Sequence, residues 1–364
     1  MSTDLVYDQN NLKKHVKFLK RHLSLLPASK QSYDVNRLAI VFYAVETLSS
    51  LGENVSQQYE GNIEWIMGNY ITRTTSVGEL SGFIGSASLD IPEIMTLSLP
   101  NTLFGLLTIL ILKDKEFLEQ NIDKKSVLRF IGQCQLTENG SFVSVLDYHS
   151  SEPSPVDAHD LRFSYIAVAI LYILGCRDES DFAKYVDVEK LVAYIQKQAC
   201  VNGGFGTYGE SHAGYTSCAL SALALLGKID TLDSIHKEQT VQWILERQVS
   251  NLGTMGTNDI SNEWYDENDH GGFQGRENKY ADTCYAFWCL NSLSILEPNF
   301  KTLCKTNLVQ RYLLDKTQDM LTGGFMKNDE EDADIYHTCL GVAALQLIDG
   351  QFNGLLCIPN DVLV

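Results

Sequence analysis

Positive charge is what this 364-residue chain has least of: 28 Lys and Arg stand against 46 Asp and Glu, a formal net charge of -18. That balance argues against a nucleic-acid backbone or an anionic membrane as the main partner, because both demand a basic surface. An anionic ligand must then be met by a local cluster of cations. The nine cysteines form no Cys-x-x-Cys pair, and residues 1–10 lack the cationic and apolar pattern of a secretory leader. Reduced thiols and a cytoplasmic protein are therefore expected. Long apolar runs are missing too. Those at 103–112 and 166–174 fall well short of the roughly 20 residues a membrane-spanning helix needs, so no transmembrane segment is expected. No Pro/Ser-rich or Gly/Ser-rich linker interrupts the sequence, and residues 1–364 are expected to form a single domain.

Strand-like alternation is also sparse, whereas helical spacing of bulky apolar residues is plain at 38–51 and begins again at 63–67. Between helical stretches come Ser81-Gly82-Phe83, Asn139-Gly140-Ser141-Phe142, Gly203-Gly204-Phe205, Gly271-Gly272-Phe273 and Gly323-Gly324-Phe325, the phenylalanines 52 to 68 residues apart. A period of that size holds one helix pair with its loops, the mark of a helical repeat architecture. The expected fold class is all-α.

The stretch from Gly271 to Trp288 has the layout of a site. A glycine pair breaks regular structure, the cations Arg276 and Lys279 follow three residues apart, and Asp282 and Cys284 stand where a helix should begin. Asp282 is a candidate N-cap, and Asp and Cys are both zinc ligand types. Cations beside helix N-termini suit a phosphate or diphosphate. Taken alone, the pair also reads as a capping Asp beside a core Cys.

Laid over one another on Thr216, Thr283 and Thr338, the repeats put Asp282 and His337 at equivalent positions. If the repeats close into a ring, these helix starts become neighbours at one end of it. Asp282, Cys284 and His337 then supply three zinc ligands with a fourth position open, as a catalytic zinc requires. His212, four residues before its Thr, and Arg162 belong to the same end. A capping or core histidine is the alternative for each His.

These residues carry a family resemblance. The chain resembles the β subunits of the protein prenyltransferases, most closely that of the type I geranylgeranyl enzyme, over roughly residues 15–346. It shares the glycine-phenylalanine repeats, the run Gly-Arg-x-x-Lys-x-x-Asp-x-Cys-Tyr-x-x-Trp from Gly275 to Trp288, and His337 downstream. The resemblance implies an α/α barrel of six inner and six outer helices with a central funnel, and one zinc on Asp282, Cys284 and His337. It further implies that His212, Arg276, Lys279 and Tyr285 hold the isoprenoid diphosphate, that Arg162 lines the peptide side, and that Cys218 and Trp288 form the isoprenoid wall. The activity implied is transfer of a geranylgeranyl group from geranylgeranyl diphosphate to the cysteine of a C-terminal CaaX motif, with X often Leu or Phe, on small GTPases such as Rho-type proteins. The partner implied is a helical-hairpin α subunit shared with farnesyltransferase.

Two positions choose among family members. Ala39 falls where the farnesyltransferases resembling this chain carry a tryptophan that shortens the lipid pocket. Lys327, ten residues before His337, replaces an aspartate associated with magnesium, so the resemblance implies that Mg2+ is not required. Segment 98–103 departs from the family pattern near the peptide pocket, and 249–270 is a polar insertion expected to be a surface loop. The alternatives are a farnesyltransferase β subunit, a terpene cyclase toroid or a non-enzymatic binding toroid. No Asp-x-Asp-Asp protonating motif occurs for a cyclase, and only the transferases predict stoichiometric zinc.

Overall fold

The computed structural model describes residues 8–363 except 27, 155, 251–252 and 255–265. Its long apolar helices are Arg37–Ser50, Leu99–Leu112, Leu161–Ile173, Ala213–Leu225, Thr283–Leu296 and Ile335–Asp349. Each packs against the next, and the last packs back against the first, which closes a ring. These six are buried almost all round; Leu99–Leu112, for example, exposes none of its residues fully. That explains why their sequences lack a polar face. Outside them lie helices with one wet face: Gln9–Ser24, Lys124–Gln133, Val188–Lys197, Ser234–Leu245, and Thr306–Arg311 continued by a π turn over Tyr312–Thr317. The all-α toroid expected from the repeats is therefore what forms, and among the described residues no helix is long and apolar enough to cross a membrane.

One outer position differs from expectation. Between the first two inner helices stand only the short helices Val55–Gln58 and Ile63–Met67, followed by an antiparallel hairpin of Tyr70–Thr75 with Gly78–Phe83. Its sequence carried a signal in the β-branched Ile71, Thr72, Thr74 and Thr75 ahead of Gly78. The half-buried alternation is short and blurred, which is why helical spacing elsewhere outweighed it.

The glycine-phenylalanine loops assemble the ring. Phe83, Phe142, Phe205, Phe273 and Phe325 are all fully buried, each worth roughly 1.5–3 kcal/mol of transfer free energy. The glycine at the tip of a loop adopts left-handed φ and touches the backbone of the next outer helix: Gly140 at Lys190, Gly203 at Gln239, Gly271 at Leu308. A Cβ on any of them would lie 2.3–2.5 Å from that backbone, closer than atoms can approach. The series ends with Gly323 against Lys14, so the N-terminal helix completes the outer layer.

His15 secures that last junction. Its Nδ1 accepts the Gly324 N–H at 2.8 Å, its Nε2 meets the Gln318 amide at 2.7 Å, and its ring stacks on Phe325. Burial holds its pKa down at about 4, against the pull of Asp319. Because the folded value lies below the unfolded one of about 6.5, this contribution is present above pH 6.5 and is lost as pH falls toward 4. Unfolding free energies measured by denaturant titration should drop by about 2 kcal/mol more in the parent than in His15→Gln between about pH 7 and about pH 5. Equal losses in the two proteins would show that His15 does not carry the dependence.

Candidate active site and metal centre

The N-termini of the inner helices gather at one end of the ring because the loops bind them there. The cap residue's N–H donates to the loop phenylalanine's carbonyl in His212 to Phe205 (3.0 Å), Asp282 to Phe273 (3.1 Å), Asp334 to Phe325 (3.2 Å) and Ser98 to Phe83 (3.4 Å). One turn later Thr102, Thr216 and Thr338 accept the N–H of the same phenylalanines. This corrects the register of the repeats. Thr283 is the first residue of its helix, while Thr216 and Thr338 are the fourth of theirs. The partner of Asp282 is thus Asp334, and His337 corresponds to Tyr285. A shared Thr-Cys dipeptide drew the sequence alignment three residues off, whereas the cap geometry fixes it.

Packing of the helix Thr283–Leu296 against Ile335–Asp349 still brings the three expected ligands together. Asp282, Cys284 and His337 each present a ligand atom within 4.8 Å of the others. Asp282 caps its helix through the Cys284 N–H at 2.8 Å, and its Oδ1 lies 3.4 Å from His337 Nε2. On the far side of the imidazole, Nδ1 is 2.6 Å from Asp334 Oδ2. With Nδ1 held by Asp334, it is Nε2 that faces Asp282 and would bind an ion once its own proton is displaced, the usual arrangement of a metal-binding histidine. One carboxylate, one thiol and one imidazole on three corners, with a second carboxylate behind the imidazole, fit a tetrahedral zinc ion that keeps a position open.

The electrostatics agree with a site built for a cation. Burial opposes charge on His337, yet Asp282 and Asp334 outweigh it and carry its pKa up to about 9. Burial, reinforced by the Asp282 charge, pushes the Cys284 thiol well up. Asp334 would be raised by burial, but its bond to His337 holds it below the ordinary carboxylate range. A divalent ion would displace the His337 and Cys284 protons and supply the positive charge these carboxylates otherwise draw from the imidazole.

Cys284 also faces a cavity of about 710 Å³ that runs down the ring. At its polar end stand His212, Tyr285, Arg276 and Arg162. His212 caps its own helix, Nδ1 accepting the Gly214 N–H at 3.1 Å, so the neutral ring carries its proton on Nε2, 3.3 Å from the Tyr285 hydroxyl. Burial, followed by the Arg276 charge, lowers the His212 pKa. Arg276 is half-exposed and paired with Glu210 at 3.0 Å. Arg162 is held by Asp160 at 2.6 Å and lies over the Tyr215 ring. Below, the wall is apolar and aromatic: Phe42, Tyr43, Leu103, Phe104, Phe163, Ile166, Cys218, Trp288, Tyr336 and Leu340. Burial pushes the Cys218 thiol up to about 12, so it remains a neutral wall residue.

Three expectations need adjustment. Lys279 is exposed and is not among the cavity-lining residues, whereas Arg276, three residues earlier, is. The Ala39 methyl does not reach the lining either; Tyr43, one turn further along the same face, does. Segment 98–103 contributes Pro100 and Leu103 to the wall. Lys327 pairs with Glu331 at 2.9 Å, and that bond raises its pKa, with smaller effects from Asp282 and Cys284. Its carbonyl accepts the Thr283 N–H at 2.9 Å, which ties it to the start of the metal-bearing helix. Most of the 249–270 insertion lies outside the described residues; within them Val249, Ser250 and Asp269 are buried rather than on the surface. Asp334 was missed, although Asp-x-x-His before a helical run is a readable capping pattern.

A fold of this kind with such a site defines a prenyl-group transferase, and the comparisons agree. The family model of the prenyltransferase alpha-alpha toroid domain matches residues 11–359, and the chain belongs to that family, among its β subunits. Among relatives, the geranylgeranyl transferase type-1 subunit beta of Arabidopsis thaliana is 30% identical over 94% of this chain and 86% of its own length. A protein farnesyltransferase subunit beta of Pyricularia oryzae is 26% identical over 92% of this chain and 62% of its own. Among solved structures, Candida albicans protein geranylgeranyltransferase-I complexed with GGPP superposes with a TM-score of 0.82 at 30% identity, covering 96% of both chains.

Cys284→Ala and His337→Ala are each expected to abolish stoichiometric zinc in the purified protein, measured by elemental analysis, while leaving the cationic end of the cavity in place. Asp334→Ala keeps all three ligands and should lower zinc affinity by about 10- to 100-fold. Full metal occupancy in the first two variants would remove the assignment.

Proposed function

We propose that this chain is the catalytic β subunit of a type I protein geranylgeranyltransferase, which moves a geranylgeranyl group from its diphosphate to the cysteine thiol of a C-terminal CaaX motif, X being Leu or Phe, on small GTPases of the Rho type. The observation that carries the proposal is that one side chain, Cys284, belongs at once to the metal trio and to the wall of a long apolar cavity capped by His212, Arg276 and Tyr285. The Arabidopsis thaliana relative and the Candida albicans solved neighbour, which both bear the type I name, support the reading.

In this reading Asp282, Cys284 and His337 hold one zinc ion, which supplies a Lewis acid that keeps a substrate thiol deprotonated near neutral pH. The chain's own residues do the rest. Arg276, with the His212 Nε2–H and the Tyr285 hydroxyl, binds the diphosphate and neutralises charge that grows on it as its bond to the lipid breaks. A diphosphate beside His212 would reverse the fall in its pKa and favour the charged imidazole. Trp288, Tyr336, Phe104 and Cys218 enclose the isoprenoid and keep water from the reacting carbon. Lys279, three residues after Arg276, adds a second cation for the diphosphate. Arg162, beside the same mouth, would meet the substrate peptide. Lys327 supplies a fixed cation where other family members would use Mg2+. We place the enzyme in the cytoplasm as a heterodimer with an α subunit shared with farnesyltransferase.

The test is a transfer assay on the heterodimer with two lipid donors. Geranylgeranyl diphosphate and a Cys-a-a-Leu peptide should be preferred, with a requirement for zinc and little response to magnesium. Ala39→Trp, whose indole is long enough to extend past the present methyl toward the cavity wall at Tyr43, should shift preference toward farnesyl diphosphate by about 10-fold or more, since overpacking a formed pocket costs about 1–3 kcal/mol. Lys327→Asp should lose activity without magnesium and partly regain it when magnesium is supplied. A parent enzyme that favours the 15-carbon donor and depends on magnesium would instead be a farnesyltransferase.

A further inference from the structure

The segment just before the Gly271-Gly272-Phe273 loop has no role in the chemistry so far, yet it is tied to it on several sides. The 3-10 turn Glu267–Asp269 is capped by Asp266, whose Oδ1 accepts the Asn268 N–H at 2.8 Å. The Asn268 side chain donates to Asp329 at 2.6 Å and accepts from Lys316 Nζ at 2.9 Å, which joins the turn to the acidic stretch after Lys327 and to the π turn. The Asp269 carbonyl accepts the Gly272 N–H at 3.0 Å. Asp269 itself is 6% exposed, and its Oδ2 accepts the Ala281 N–H at 3.0 Å. Ala281 is buried and directly precedes Asp282.

We propose that Asp269 is a positioning residue for the metal centre: by accepting the Ala281 N–H it fixes the strand that presents the Asp282 carboxylate. In the preceding repeat the corresponding strand is held by a two-pair hairpin, Gly206–Thr207 with Glu210–Ser211. Here only the single pairing of Gln274 with Ala281 remains, and the Asp269 carboxylate adds a separate tie at the Ala281 N–H. The need is chemical as well as structural. Asp282 must both cap its helix and offer an oxygen to the ion, so a small swing of its backbone costs a ligand position. Without Asp269 the Ala281 N–H is a buried donor with no acceptor, and the strand relaxes to find one. The inference rests on the reading of Asp282, Cys284 and His337 as a metal site.

The experiment titrates the metal-free, full-length protein with Co2+ and follows the thiolate-to-cobalt charge-transfer absorbance, with thermal unfolding recorded in parallel. Asp269→Leu, near in volume but without an acceptor, should bind Co2+ about 10- to 100-fold more weakly with an altered band, while Asp269→Asn, which keeps an acceptor oxygen, should stay within about threefold of the parent. Should the Leu variant fail to fold, Asp269→Glu displaces the acceptor by one methylene and should still weaken the metal several-fold. Parental affinity in Asp269→Leu, or in Asp269→Glu where that variant decides, overturns the proposal and leaves the metal reading standing. A parent protein that shows no thiolate-to-cobalt band overturns both.

Discussion

The bond on which this structure depends is the one between a helix cap and a glycine-phenylalanine loop. In four repeats the cap N–H reaches the phenylalanine carbonyl, and in three a threonine one turn on receives the phenylalanine N–H. A loop bound at both edges of one residue cannot slide along its helix. Four of the six inner helices are therefore held at a fixed height against their loops, and the ring acquires one end made of helix N-termini. Unpaired N–H groups and the positive end of each helix dipole collect there.

That end would attract anions, yet the chain is strongly acidic and three of its inner-helix caps are aspartates, Asp160, Asp282 and Asp334. The two facts are reconciled by division of the rim. Asp160 is matched by Arg162, and Asp282 with Asp334 encloses His337. Another inner helix is capped by His212, beside Tyr285 and the Arg276 that pairs with Glu210. Cys284 and Tyr285, neighbours on one helix turn, thus face different groups, Cys284 the trio with Asp282 and His337 and Tyr285 the His212 ring.

The apolar wall below follows from the same construction. Inner helices that are buried all round must show apolar side chains to the ring centre as well as to the outer layer. Where the central side chains do not meet, a lipid-sized cavity remains, lined by aromatic residues from several different repeats. No single repeat could form it, because each contributes only a few residues to the wall.

While the roles of His212 and Tyr285 came only through the family resemblance, the sequence by itself determined the all-α repeat class, the glycine-phenylalanine punctuation, the candidate ligands Asp282, Cys284 and His337, and the candidate anion-binding cations Arg276 and Lys279. These were legible because capping, chain breaking and ligand type are properties of individual residues in short windows. The tertiary structure alone decided the register between repeats, which pairs Asp282 with Asp334 instead of with His337, and the bonds that Asp334 makes to His337 and Asp269 to Ala281. It also decided that Arg276 joins the cavity lining while Lys279 does not, that Tyr43 rather than Ala39 reaches the cavity, and that one outer position is filled by a hairpin. Most of these depend on how segments of one repeat or of neighbouring repeats pack, and no local pattern encodes the angle at which two distant helix starts will meet.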